Sequence, residues 1–76
     1  MITAYFLCKA RQGKLKIAAN SLREHEELED VNETLGNYDI ICKGVFEDMD
    51  DLKTFIQNKL QITDGIKDTE TLMVIG

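Results

Sequence analysis

Three strand-like segments that are apolar on both faces, in a chain with only two helical segments to cover them, constrain this sequence more than any other feature. Ile2 to Lys9 is aromatic and aliphatic with no helical stripe, and the period-2 geometry of a strand sets Phe6 and Cys8 against Tyr5 and Leu7. Tyr38 to Phe46 sets Ile40 and Cys42 against Ile41 and Val45, and Ile66 to Ile75 sets Met73 and Ile75 against Leu72 and Val74. Between them, Leu15, Ala18, Ala19 and Leu22 fall on the i, i+3, i+4, i+7 stripe of an amphipathic helix over Lys14 to His25, with Ile17 off the main face. A second stripe, Leu52, Phe55, Ile56 and Leu60, follows Asp48, whose side chain suits an N-cap, and Asp50 and Asp51, whose charge suits the first turn.

Leu28 to Leu35 spaces Val31 and Leu35 among charged and polar residues and reads as an exposed edge strand. Gly36-Asn37 then predicts a two-residue type II′ turn into the third strand, and Asp64-Gly65 a turn into the fourth. The resulting order, β1 (2–9), α1 (14–25), β2 (28–35), β3 (38–46), α2 after Asp48 and β4 (66–75), is that of the split βαβ, or ferredoxin-like, plan. The expected fold class is α+β: a four-stranded antiparallel sheet with both helices on one face, forming one domain over residues 1–76. No segment remains to cover the other face. A second copy is expected there, because soluble monomers seldom expose a contiguous apolar patch beyond a few hundred Å², and because a core in a chain of about this size supplies only a few kcal/mol.

Composition excludes several classes of function. Nine Lys and Arg against fourteen Asp and Glu give a formal charge of −5, the wrong sign for a direct nucleic-acid binder or a polybasic membrane-surface module. The longest apolar run, Ala4 to Cys8, falls far short of the ~20 residues of a bilayer span. Met1 leads straight into β1 rather than into a secretory leader, so the expected compartment is the cytoplasm. Cys8, Cys42 and the single His25 have no zinc-type spacing, and neither metal nor cofactor is expected.

One segment suggests ligand chemistry. In Leu35-Gly36-Asn37-Tyr38-Asp39 a glycine turn offers backbone N–H groups to a carboxylate, Asp39 an acceptor to an ammonium group, and Tyr38 an aromatic wall, a set that suits an amino acid. On residue chemistry alone, a plain hairpin turn with a strand-start charge is the simpler account. Arg11-Gln12-Gly13-Lys14 lacks the form of a phosphate loop and reads as a solvated connector. The acidic run Glu24, Glu26, Glu27, Glu29 and Asp30 reads as solubility, His25 as a charge partner for the α1 C-terminus, and the two cysteines as buried small hydrophobes. No set of nucleophile, base and orienting group can be assembled, so no enzyme activity is expected.

Over nearly its whole length the chain resembles the regulatory (RAM) domain of the Lrp/AsnC transcription regulators. The matching stretches are Ile2-Thr3-Ala4-Tyr5, Leu35-Gly36-Asn37-Tyr38-Asp39-Ile40, Asp51-Leu52 with Phe55-Ile56, and Gly65-Ile66 with Thr69-Glu70-Thr71-Leu72. Asp64 stands where the family often has a proline before the glycine. The resemblance implies a subunit that dimerises through its sheet, assembles further into rings of dimers and binds an amino acid or similar effector between dimers. Gly36, Tyr38 and Asp39 carry over as effector-site residues, with Leu35 and Asn37 beside them and Thr69 and Thr71 as secondary candidates. The family's regulators carry a helix-turn-helix domain that is absent from these 76 residues. The expectation is therefore a stand-alone regulatory domain, or the regulatory half of a longer protein, that acts through full-length Lrp/AsnC-type regulators. The alternative is a small enzyme of the dimeric α+β barrel type, which shares the sheet-to-sheet dimer and would need His25 or Asp39 as its acid or base.

Overall fold

The computed structural model describes every residue from Met1 to Gly76. Four antiparallel strands, β1 (Ile2–Ala10), β2 (Leu28–Glu33), β3 (Ile40–Phe46) and β4 (Ile66–Met73), form one sheet in the order β2-β3-β1-β4. The helices α1 (Leu15–Arg23) and α2 (Met49–Phe55) are the crossovers of the ferredoxin-like plan and pack on the same face. β1 lies between β3 and β4, with Phe6 opposite Cys42 on one side and Thr71 on the other.

The alternation places Ala4, Phe6 and Cys8 of β1 and Ile40, Cys42 and Phe46 of β3 under the helices, where they form one core with Ala18, Ala19 and Leu22 of α1 and Leu52, Phe55 and Leu60 beyond. Phe6, Phe46 and Phe55 pack together with ring centroids 5.3 to 6.1 Å apart. Helix α2 starts as the sequence indicates, with Asp48 Oδ1 accepting the Asp51 N–H at 2.9 Å. Beyond Phe55 it loosens into a π-helical turn, Ile56–Leu60, closed by the Gln61 N–H on the Ile56 carbonyl. The stripe of apolar residues read as one helix therefore has two geometries.

The other face carries Thr3, Tyr5, Leu7 and Lys9 of β1, Ile41, Lys43 and Val45 of β3, and Asp68, Glu70 and Leu72 of β4, in register across the strands. No element of the chain covers it, and Tyr5, Val45, Leu72 and Val74 are 37 to 47% exposed. No helix is long and apolar enough to cross a membrane.

Several boundaries differ from the sequence expectation. β2 is not a regular edge strand: its pairing with β3 shifts between Glu29 and Asn32, where Asp30 adopts φ 52°, a bulge that twists and blunts the edge. Strand β4 ends at Met73, although the Val74 N–H still donates to Thr3. The α1 helix ends at Arg23, so His25 is not its charge partner. The imidazole turns toward α2, with Nε2 2.9 Å from Thr63 Oγ1 and the ring edge-on to Phe55. Because the one Thr63 hydroxyl proton is given to the Lys59 carbonyl, His25 Nε2 is the donor of that contact.

Candidate functional site

The connection from β2 to β3 is the largest departure from the predicted local structure. A two-residue type II′ turn at Gly36-Asn37 would continue the β2–β3 ladder to the turn itself, but pairing stops at Glu33 opposite Ile40. Residues 34–39 form a wider loop because its last residue is claimed by β1. The Asp39 N–H donates to the Cys8 carbonyl at 2.9 Å, and Asp39 Oδ2 accepts the Ala10 N–H at 2.8 Å. Asp39 thus stitches the loop to the end of β1, next to the register shift at Lys9/Ala10 where the β1–β4 ladder is irregular. The base of the loop is closed by Thr34, whose N–H donates to the Asp39 carbonyl and whose hydroxyl donates to the Tyr38 carbonyl, each at 2.8 Å. Gly36 at φ 138° makes the reversal, and Leu35 projects fully into solvent at the tip.

Tyr38 leaves this loop across the open face of the sheet. Its hydroxyl donates to Glu70 Oε1 on β4, and Lys9 Nζ of β1 lies 5.5 Å from the centre of its ring. The Glu70 carboxylate, with Asp68 further off, pushes the phenol up from its ordinary pKa, so Tyr38 stays a neutral O–H donor. Thr69 and Thr71 are opposite Cys8 and Phe6 in register and belong to the helix-covered face. The structure therefore does not gather the predicted residues into one group: Tyr38 is on the open face, Thr69 and Thr71 are on the other, and Leu35, Gly36 and Asn37 are at the loop tip. It adds Lys9 and Glu70, which the sequence reading passed over. The alternation along β4 already separates Glu70 from the two threonines; the direction taken by Tyr38 across β1 was the missing information.

No enclosed cavity forms at this end of a single chain. The largest concavity, about 390 Å³, lies at the opposite end of the sheet between β3 and α2, lined among others by Glu27, Phe46, Asp51, Phe55 and Lys59. Its charges are partly matched already, since Lys59 Nζ is 2.7 Å from Glu27 Oε2 and holds that carboxyl below its usual range. Glu27 is thus an ion-paired member of an acidic run expected to be merely solvated. Glu33 is bridged likewise by Lys16 and Arg23 of α1. Cys8 and Cys42 are free and buried side by side under the helices, and the neighbouring thiol together with burial pushes Cys42 up. No three His, Cys, Asp or Glu side chains converge as metal ligands would.

An open four-stranded sheet with a braced loop at one end defines a small α+β domain of the ferredoxin-like class. Within that class the chain belongs to the Lrp/AsnC ligand binding domain family, whose profile matches residues 3–76. Among curated proteins it is 31% identical over 72 residues to the HTH-type transcriptional regulator FL11 of Pyrococcus abyssi, a match covering 95% of this chain and 47% of that one. The chain spans about half the length of the curated relatives it matches. Among solved structures it is similar to FFRP-DM1, at 29% identity and a TM-score of 0.92, covering 99% of this chain and 100% of that one. It shares its fold with the transcriptional regulator NMB0573 of Neisseria meningitidis, solved as a complex with L-Met, at 22% identity and a TM-score of 0.89, covering 99% of this chain and 50% of that one.

Proposed function

We propose that this chain is an effector-binding and oligomerisation module: a second copy covers the open face of the sheet, an amino acid binds at the hairpin end, and binding is coupled to assembly of dimers into larger rings. In this reading it modulates transcription by associating with full-length Lrp/AsnC-type regulators and not by touching DNA itself. The observation that carries the reading is the family match over residues 3–76, and the L-Met complex of a protein with the same fold supports an amino acid as the effector class. Two physical features are consistent with it. The apolar surface of Tyr5, Leu7, Ile41, Val45 and Leu72 is of the kind that self-association buries. The loop of residues 34–39 is braced from within by Thr34 and Asp39, so Leu35, Gly36, Asn37 and Tyr38 are presented to a ligand in a fixed arrangement. Thr69 and Thr71, partly exposed on the edge strand β4, are available to a neighbouring dimer on the other face.

The test is a thermal-shift screen with the twenty L-amino acids at fixed protein concentration. A ligand at 100 times its Kd adds ~2.7 kcal/mol to the folded state. For a domain of this size that raises Tm by roughly 10 to 20 °C. A rise of this order with at least one amino acid is expected; no rise with any of them would overturn the reading.

A further inference from the structure

We propose that the free edge of β4 is a second contact between copies of this chain, in which β4 pairs antiparallel with β4 of a copy in a neighbouring dimer about a two-fold axis at Thr71. This contact lies on the rim of the sheet, off the open face assigned to the dimer partner. It rests on the assembly half of the reading above and does not depend on an amino acid.

Strand β4 is the outer strand beside β1, so one side of its backbone has no partner within the chain. The Val74 N–H donates inward to the Thr3 carbonyl, and antiparallel alternation then turns the N–H and C=O groups of Thr69, Thr71 and Met73 outward. From Thr69 to Val74 the segment has a single charge, on Glu70, and neither Pro nor Gly. Met73 points to the helix side, as its register opposite buried Ala4 requires, yet it is 44% exposed, beyond the cover of the helices. A second copy on the open face would cover Leu72 and Val74 but neither Met73 nor the outward backbone groups. Regular edges of this kind pair with other strands unless something blocks them. The opposite edge of the sheet is blocked, since β2 has its bulge at Asp30 and carries Glu29, Asp30 and Glu33.

The same strand of another copy fits this edge because the segment is complementary to itself. An antiparallel pair centred on Thr71 sets Thr69 opposite Met73 and Glu70 opposite Leu72 of the second copy, in both directions, and no two like charges face each other. The outward groups of Thr69, Thr71 and Met73 then close about six hydrogen bonds, and Met73 of each copy is covered by Thr69 of the other. Strand β2 is a poor mate, because its bulge interrupts the row of backbone groups that β4 would need. A face-to-face dimer presents one free β4 edge from each copy, so edge pairing joins dimers into closed rings or open chains.

Disulfide trapping tests the contact. In the proposed register the two Thr71 Cα atoms lie ~5.5 Å apart, within disulfide range, whereas the two Thr69 Cα atoms lie ~14 Å apart. Thr71 is opposite Phe6 on the helix side, so packing through the open face cannot bring two copies of it together. The native Cys8 and Cys42 are buried and take no part. Under copper-phenanthroline oxidation of the full chain, Thr71→Cys should link into covalent pairs at least ~tenfold faster than Thr69→Cys. Thr69→Cys and Met73→Cys should link when mixed and not when oxidised separately. Linking of Thr71→Cys no faster than Thr69→Cys would overturn the edge contact, and if the unmodified protein then sediments as a dimer, the face dimer stands. Rapid linking of Thr71→Cys in a chain that sediments as a monomer would instead keep the edge contact and overturn the face dimer.

Discussion

Replacing Asp39 by alanine should destabilise the folded protein, because its carboxylate does the work of a missing ladder partner. Asp39 Oδ2 accepts the Ala10 N–H at 2.8 Å in a partly buried position where β1 changes register against β4. Truncation removes a hydrogen bond to a charged acceptor, a contribution of ~1.5 to 3 kcal/mol, and leaves a backbone donor with reduced access to water. In a domain of this size each kcal/mol shifts Tm by about 4 to 8 °C, so a fall of roughly 6 to 24 °C is expected. Asp39→Asn retains a neutral oxygen acceptor and should recover about half of that loss, since a neutral hydrogen bond contributes ~0.5 to 1.5 kcal/mol. Thermal denaturation followed by circular dichroism, at one protein concentration for all three proteins, makes the comparison. A Tm for Asp39→Ala within 2 °C of the unmodified protein would refute the bracing role, and would return Asp39 to the list of free carboxylates available to a ligand.

Tyr5→Glu and Leu72→Glu, neighbours in register on the uncovered face, should give a folded monomer by sedimentation velocity, whereas Phe6→Glu, one residue away but under the helices, should fail to fold. A dimer that persists in both face variants would mean that copies associate elsewhere. Gly44→Ala should cost ~1 to 3 kcal/mol in denaturant unfolding, because the added methyl would sit 2.7 Å from a ring carbon of Phe46, which is wedged against Phe6 and Phe55; an unchanged midpoint would contradict that packing. The Glu27 carboxyl is held down in the folded state by Lys59, so its contribution is present above the unfolded carboxylate value of ~4.3 and lost as pH falls through the lower folded value. Lys59→Met should accordingly lower stability near neutral pH and flatten its decline on acidification, and parallel curves for the two proteins would remove the ion pair from the account.

Much of the fold can be read from periodicity, because each element is decided by side chains that also form the core. The α1 stripe of Leu15, Ala18, Ala19 and Leu22 faces the sheet as its spacing requires, with Ile17 largely outside, and the Asp48 cap is where the aspartates place it. The loop of residues 34–39 was less legible for a physical reason. Gly36-Asn37 is a sound local signal for a tight turn, but the Asp39 hydrogen bonds to Cys8 and Ala10 are contacts across about thirty residues of sequence, and they override it. The π-helical turn after Phe55 and the bulge at Asp30 are likewise set by packing and pairing, to which a stripe of apolar residues is blind. At the candidate site the alternation of β4 sufficed to separate Glu70 from Thr69 and Thr71. That Tyr38 reaches Glu70 across β1 depends on the register of three strands, and no spacing along the chain encodes it.

The central claim, that this chain is an effector module whose assembly responds to an amino acid, is tested most directly by sedimentation velocity on the unmodified protein with and without the amino acid that most raises its Tm. Linkage requires that a ligand held between dimers favour assembly by the factor with which assembly favours the ligand. A dimer is expected in the absence of the amino acid and a larger species, at the same protein concentration, in its presence. A stable monomer in both conditions, or a dimer indifferent to saturating amino acid, would contradict it.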